Sequence, residues 1–244
     1  MTERIDMRRA AVFGASGGIG AALVRALISR NDIDTVFALG RSAATVAECG
    51  HAKVVPLAFD LTDESSIAAA AGRIGGPLDL CLVATGVLTL PDGTGPEKGL
   101  RQIDPATMAQ VFTLNTIGPA LIAKHALPLF PRDRRAVFAA LSARVGSIGD
   151  NRLGGWHSYR ASKAALNMLI RNVAIELSRT HREAICVGLH PGTVDTRLSR
   201  PFQKGVPQDR LFDPGVSALH LLRVIDGLTA ADTGGCFAWD GVRI

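Results

Sequence analysis

The sequence predicts an α/β fold: one doubly wound parallel sheet of about seven strands, with helices on both faces. Three observations carry this. Short, continuously apolar runs alternate with longer stretches of helical periodicity along all 244 residues, as in parallel strands buried on both faces and joined by right-handed crossovers. A glycine-rich turn separates the first apolar run from the first helix, the arrangement of Rossmann-type folds. No interior linker, repeat or low-complexity stretch divides the chain, so residues 1–244 read as a single domain.

Taken in order, Ala10 to Phe13 is the first strand and Ile19 to Arg30 the first helix. Thr35 to Leu39 and Lys53 to Phe59 are the second and third strands. Thr62 to Arg73 is an alanine-rich helix, with Thr62 as its cap and Asp63 and Glu64 in the first turn, where carboxylates suit the helix dipole. Leu80 to Ala84 is the fourth strand, Met108 to Leu127 a long helix crossing Gly118-Pro119, and Ala136 to Leu141 the fifth strand. The next helix holds Tyr159 and runs to about Arg179. Ala184 to Leu189, the helix Val216 to Leu228, and the strand Cys236 to Trp239 complete the order. Segments 86–104 and 193–214 break the alternation. Both follow strand C-terminal ends, where ligands bind in such sheets, and their Pro and Gly content suits loops that form or cover a pocket.

The composition, 47% hydrophobic and 20% charged, is that of a globular protein with ample core material. The net charge of +5 is spread along the chain. Its densest cluster, Arg132-Asp133-Arg134-Arg135, reads as a solvated loop, so no nucleic-acid or membrane partner is expected. Cys49, Cys81, Cys186 and Cys236 are far apart with no CxxC, and no metal-site spacing is present. Cys81 and Cys186 lie in apolar runs and read as small buried hydrophobes. The charged N-terminus lacks an apolar signal core and no segment reaches membrane-spanning length. A reduced, cytoplasmic protein is the expectation.

Gly14-Ala15-Ser16-Gly17-Gly18-Ile19-Gly20 follows the first strand and opens the first helix. Glycines let backbone approach a pyrophosphate, and a helix N-terminus supplies N–H groups and partial positive charge. In this position the GxxxGxG spacing indicates a dinucleotide. An NAD site would carry an Asp or Glu after the second strand for the ribose hydroxyls. The chain has Leu39-Gly40-Arg41-Ser42 instead, and Arg41 suits a 2′-phosphate. NADP is therefore expected over NAD.

Tyr159, the only tyrosine, and Lys163 are spaced i, i+4 and share a helix face. A free phenol titrates near pH 10. An ammonium about 4 Å away is worth up to about 4 kcal/mol at an effective dielectric of 20, roughly three pKa units. The expectation is a Tyr159 pKa brought towards 7, where an acid/base catalyst works best.

GxxxGxG near the N-terminus with YxxxK some 140 residues later resembles the short-chain dehydrogenase/reductase family over essentially the whole chain. Ser142 to Ile148, Gly154-Gly155-Trp156 and Tyr159 to Lys163 most resemble its C-factor and sniffer-type carbonyl reductases. The resemblance implies that Asp60-Leu61 contacts the adenine and that Asn115 completes a catalytic tetrad. In Pro191-Gly192-Thr193-Val194-Asp195-Thr196 it places the Val194 backbone, with Thr196, at the nicotinamide end. It also implies a homo-oligomer, dimer or tetramer.

Two departures stand out. The family's Asn-Asn-Ala-Gly after the fourth strand is Val83-Ala84-Thr85-Gly86 here. Ungapped alignment on Gly146 puts Ala143 where the family has its catalytic serine. Either Ser142 turns in at a bulged strand end, or Ser147 or a water takes the role; Ser142 is the assignment made.

The reaction so implied is hydride transfer between nicotinamide C4 and a carbonyl or alcohol carbon of a small molecule. Tyr159 is its general acid or base, and Lys163 lowers the Tyr159 pKa and binds the nicotinamide ribose. A serine polarises the carbonyl oxygen, and Asn115 holds a water leading to Lys163. The six histidines match no triad or ligand spacing; His157 reads as a surface position, and Trp156 as either a substrate wall or core. The competing reading is a dinucleotide-binding signalling protein of C-factor type with little or no turnover.

Overall fold

A computed structural model describes residues 8–47 and 50–244. Its strands are β1 (Arg8–Phe13), β2 (Ile33–Gly40), β3 (Val54–Ala58), β4 (Leu80–Val83), β5 (Ala136–Leu141), β6 (Ala184–His190), β7 (Thr193–Val194), β8 (Leu211–Phe212) and β9 (Cys236–Ala238). Seven of them form one parallel sheet in the order β3-β2-β1-β4-β5-β6-β9. The expected doubly wound sheet is thus present. β7 and β8 pair separately within the segment read from sequence as a loop, since two-residue strands leave no periodicity to read.

Strand alternation divides the core in two. Ala11 and Phe13 of β1 face the side that holds Ile67, Ile122, Leu166 and Ile170. Ala10 and Val12 face the other, with Leu23, Leu27, Leu221 and Ile225. Both faces are covered, which is why β4 and β5 are apolar throughout and β1 is apolar from Ala10 to Phe13.

The helices are α1 (Gly18–Ile28), α2 (Ala43–Ala47), α3 (Glu64–Ile74), α4 (Pro105–Phe112), α5 (Gly118–Ala126), α6 (His157–Leu177) and α7 (Pro214–Gly227). The cap of α3 is Asp63, not Thr62: its carboxylate accepts the Ser65 N–H at 2.9 Å, while the Thr62 hydroxyl donates back to Asp60. α4 starts three residues before the expected Met108, because Asp104 caps it from the Thr107 N–H at 2.7 Å and Pro105 suits a first helical position. Between α4 and α5 the chain makes a π-helical turn, Thr113–Ile117. The continuous run Pro105–Leu129 is, against the expectation, long and apolar enough to span a membrane; it contributes Ile122, Ala123 and Ala126 to the core beside the sheet.

Arg132, Asp133 and Arg134 are exposed in the loop before β5, as expected, and two of the arginines also make fixed contacts. Arg134 forks onto the buried Asp79 carboxylate at 2.8 and 3.0 Å, and Arg135 donates to the Ile225 carbonyl. Cys81 and Cys186 are buried as expected, and burial raises both thiol pKa values. Cys49 and the N-terminal reading from Met1 to Met7 lie outside the described residues.

Candidate active site

The strand order reverses between β1 and β4, the point where doubly wound sheets bind ligands. The glycine-rich loop sits in that crevice and is packed without slack. A Cβ on Gly20 would lie 2.1 Å from the Gly14 carbonyl oxygen. At Gly14, with φ +90°, a Cβ would lie 3.0–3.1 Å from the Ala84 backbone and the Thr85 methyl, and at Gly18 one would lie 2.7 Å from the Thr196 methyl. The loop is thus closed by both segments that follow β4 and β6. α1 has no acidic residue in its first turn and no side-chain cap at Gly17, so its leading N–H groups are left for an anion.

Around the loop, Ser16 and Arg41 are exposed. Asp60 is held in a turn, its Oδ1 accepting the Thr62 N–H and hydroxyl; those bonds keep the carboxyl below its usual range. Leu61 packs on Gly118 of α5. The Thr85 hydroxyl, at the alanine position of the family's Asn-Asn-Ala-Gly, is buried and has no partner among the described residues.

α6 carries Tyr159, Lys163 and Asn167, successive by four and therefore on one face. Tyr159 is buried against Leu88 and Ala143. The Lys163 Nζ lies 6.0 Å from the Tyr159 ring centroid and donates to the Leu141 carbonyl at 2.9 Å. This corrects the expected pKa. Burial, not the ammonium, dominates the phenol and pushes it up to about 12, while burial also pulls Lys163 down to about 8. Tyr159 is thus held fully protonated at neutral pH, the acid form.

Asn115 lies in the π turn, a local rewinding that is frequent at functional sites. Its amide donates to the Val87 carbonyl and the Ser162 hydroxyl, and its Oδ1 accepts the Val87 N–H at 2.8 Å. Asn115 thereby ties the segment after β4 to α6, the helix that carries Tyr159 and Lys163. Its Oδ1 and the Lys163 Nζ both flank Gly86, 3.1 and 3.4 Å from where a Cβ would be.

Ser142 lines the same cavity as Tyr159, whereas Ser147 lines a different one beside His157. The Ser142 N–H continues the ladder to the Leu189 carbonyl at 2.8 Å, and its hydroxyl donates to Asn167 Oδ1 at 2.6 Å. The cavity, about 580 Å³, also takes in Ile19, Val194 and Thr196, joining the glycine-rich loop to the Tyr159 face. Its outer wall is aromatic: Trp156 meets Tyr159 at 6.2 Å and Phe202 at 5.1 Å between ring centroids. His190 lines it too, and burial, then the nearby Arg144 charge, lowers its pKa to about 4, so it is neutral. The sequence reading missed Asn167, His190, Leu88 and Phe202. Only Asn167 left a signal, its i+8 spacing from Tyr159.

Comparison with known proteins agrees with this geometry. The model of the short chain dehydrogenase family matches residues 8–206. The C-signal protein of Myxococcus xanthus is 33% identical over 169 residues, 69% of this chain and 93% of that protein. The 1-hydroxy-2-glutathionyl-2-methyl-3-butene dehydrogenase of Rhodococcus sp. (strain AD45) is 31% identical over 226 residues, 91% of this chain and 92% of that one. The crystal structure of NADPH-bound carbonyl reductase from chicken fatty liver superposes with a TM-score of 0.83 at 28% identity, covering 98% of both chains. With a cradle of glycines at the switch point and Tyr159, Lys163 and Asn115 converging beside it, the chain belongs to the short chain dehydrogenase family.

Proposed function

We propose that the protein is an NADP-dependent oxidoreductase that reduces a carbonyl compound, or oxidises the corresponding alcohol, with Tyr159 as general acid or base. The observation that carries this is the shared cavity, in which Tyr159 and Ser142 stand with Ile19, Val194 and Thr196. The carbonyl reductase from chicken fatty liver, NADPH-bound, supports the choice of cofactor and reaction.

The residues fit the dinucleotide. Gly14, Gly17, Gly18 and Gly20 leave the backbone N–H groups at the start of α1 bare, with Ser16 and Ile19 beside them. The Thr85 hydroxyl, beside Gly14, is a donor without a partner among the described residues. Arg41 would hold the 2′-phosphate, Asp60 and Leu61 would flank the adenine, and Val194 and Thr196 would hold the nicotinamide end. NADPH, when bound, supplies the hydride for the carbonyl carbon.

The protein's own groups handle the oxygen. Tyr159 donates its phenolic proton as charge develops there. Ser142 turns its hydroxyl from Asn167 to the same oxygen and stabilises the charge. Lys163, beside the vacated phenolate, stabilises it and binds the nicotinamide ribose. The free lone pair of Asn115 Oδ1, next to Lys163 at Gly86, is where a reprotonating water attaches.

The test is consumption of NADPH in the presence of a panel of ketones, aldehydes and quinones. Turnover of any of them supports the reading. Tight NADPH binding with no turnover would favour a second reading, a signalling protein, which the likeness to the Myxococcus xanthus C-signal supports.

A further inference from the structure

Glu97 lies in the 86–104 loop, is 5% exposed, and among the described residues forms no ion pair. A buried carboxylate without a cation needs hydrogen bonds. It finds them at the N-terminus of α6. Oε2 accepts the Ser158 N–H at 3.1 Å and Oε1 accepts the Ser158 hydroxyl, while the Glu97 carbonyl accepts the Trp156 N–H. Against the cost of burial, these bonds keep the carboxyl below its usual range, so it carries its charge into the positive end of the helix.

The turn that Glu97 holds is unfavourable on its own. Gly154, Gly155 and Trp156 all have positive φ, at +62°, +63° and +51°, and a tryptophan in the left-handed region persists only where its surroundings fix it. Trp156 is also the N-cap residue of α6 and supplies no side-chain cap of its own. Glu97 supplies the missing cap from a loop some sixty residues away, one residue before Tyr159. The same loop sends Leu88 onto the Tyr159 ring.

We propose that Glu97 is a positioning residue: its carboxylate, by bonding the Ser158 N–H and hydroxyl beside the backbone bond from Trp156, fixes the left-handed Trp156 and the first turn of α6, and so sets both the aromatic wall of the cavity and the place of the Tyr159 hydroxyl. The catalytic half of this rests on the proposed role of Tyr159; the placement of Trp156 does not.

The experiment compares E97A and E97Q, each also in a W239F background that leaves Trp156 as the only tryptophan. Gln keeps an oxygen for the Ser158 N–H and an amide that the Ser158 hydroxyl can accept from. E97A is expected to lower kcat/KM for an aryl ketone by about 10- to 100-fold, the scale of misplacing a reacting group by a fraction of an ångström to an ångström. It should shift Trp156 emission and leave the NADPH dissociation constant within about twofold. E97Q should return kcat/KM to within about threefold of the unmutated enzyme. The proposal is overturned if E97A matches the unmutated protein in kcat/KM and emission. It is also overturned if E97A and E97Q lose NADPH affinity together with activity, which marks a general folding role. Should the unmutated protein reduce no ketone, the catalytic reading fails on its own account, and Trp156 emission with retained NADPH binding still decides whether Glu97 sets the wall.

Discussion

The Ser142 hydroxyl donates to Asn167 Oδ1 at 2.6 Å, joining the end of β5 to the helix that carries Tyr159 and Lys163. Ser142 is therefore not a free rotor in the cavity. It is held on the Tyr159 side by a residue two helical steps of four beyond the tyrosine.

Ser142→Ala should consequently lower kcat for ketone reduction by about 10²-fold, the cost of deleting one donor to a developing oxyanion. NADPH affinity should not change. Ser147→Ala, in a separate cavity, should stay within about twofold, and Asn167→Ala should fall between the two. If Ser147→Ala is the damaging change and Ser142→Ala is silent, Ser142 is not the polarising group.

Lys163 makes a prediction about stability as well as rate. Burial lowers its pKa from 10.5 to about 8, so the unfolded chain binds more protons between these values and stability rises with pH across that window. The charge then costs the fold about 3 kcal/mol at pH 7, offset by roughly 1 kcal/mol from the bond to Leu141. Lys163→Met should abolish turnover yet stabilise the protein by about 2 kcal/mol at pH 7 in urea unfolding. The gain should fade above pH 8 and vanish at about 9.5, after about 1.5 pH units at about 1.36 kcal/mol each. A variant less stable at pH 7 would refute the account.

Much of this was legible because period-two and period-3.6 patterns are local. β5 was read to the residue, Ala136 to Leu141, and the glycine loop and the Tyr159 helix were placed within two residues. What escaped depends on tertiary contact. The Thr62 cap failed because Asp60 claims its hydroxyl two residues back. The lowered Tyr159 pKa failed because spacing on a helix face says nothing of burial, and burial acts on phenol and ammonium in opposite directions. Glu97 carries no motif; its meaning comes from a helix end sixty residues away. Ser142 was an even choice in sequence, because a strand end does not announce which cavity it enters.

Cofactor preference should rest on Arg41. A Cβ at Gly40 would sit 2.9 Å from the Val46 methyl, so the acid of an NAD site has no room where β2 ends. Arg41 is exposed just beyond it, while Asp60 is engaged by Thr62. NADPH should bind at least about tenfold more tightly than NADH, equivalent to about 1.4 kcal/mol, and Arg41→Ala should remove most of that difference. Equal affinities in the unmutated protein, measured by fluorescence titration, would rule the assignment out.

The last prediction concerns the proton. Tyr159→Phe removes only a hydroxyl and keeps the ring that Leu88, Ala143 and Trp156 pack against, so melting temperature and NADPH binding should survive. Loss of a positioned acid costs about 10²- to 10⁴-fold. The upper end is expected, because no other titratable side chain in the cavity is both buried and protonated at neutral pH in a form it can give up: His190, near 4, is already neutral. The pH profile supplies the second check. With burial holding the phenol up to about 12, the base form needed for alcohol oxidation grows with every step of pH through the accessible range, so the oxidative rate should climb with pH in the unmutated enzyme and lose that climb in Tyr159→Phe. A Phe variant that reduces ketones at the unmutated rate, with the pH profile unchanged, would show that the proton comes from elsewhere.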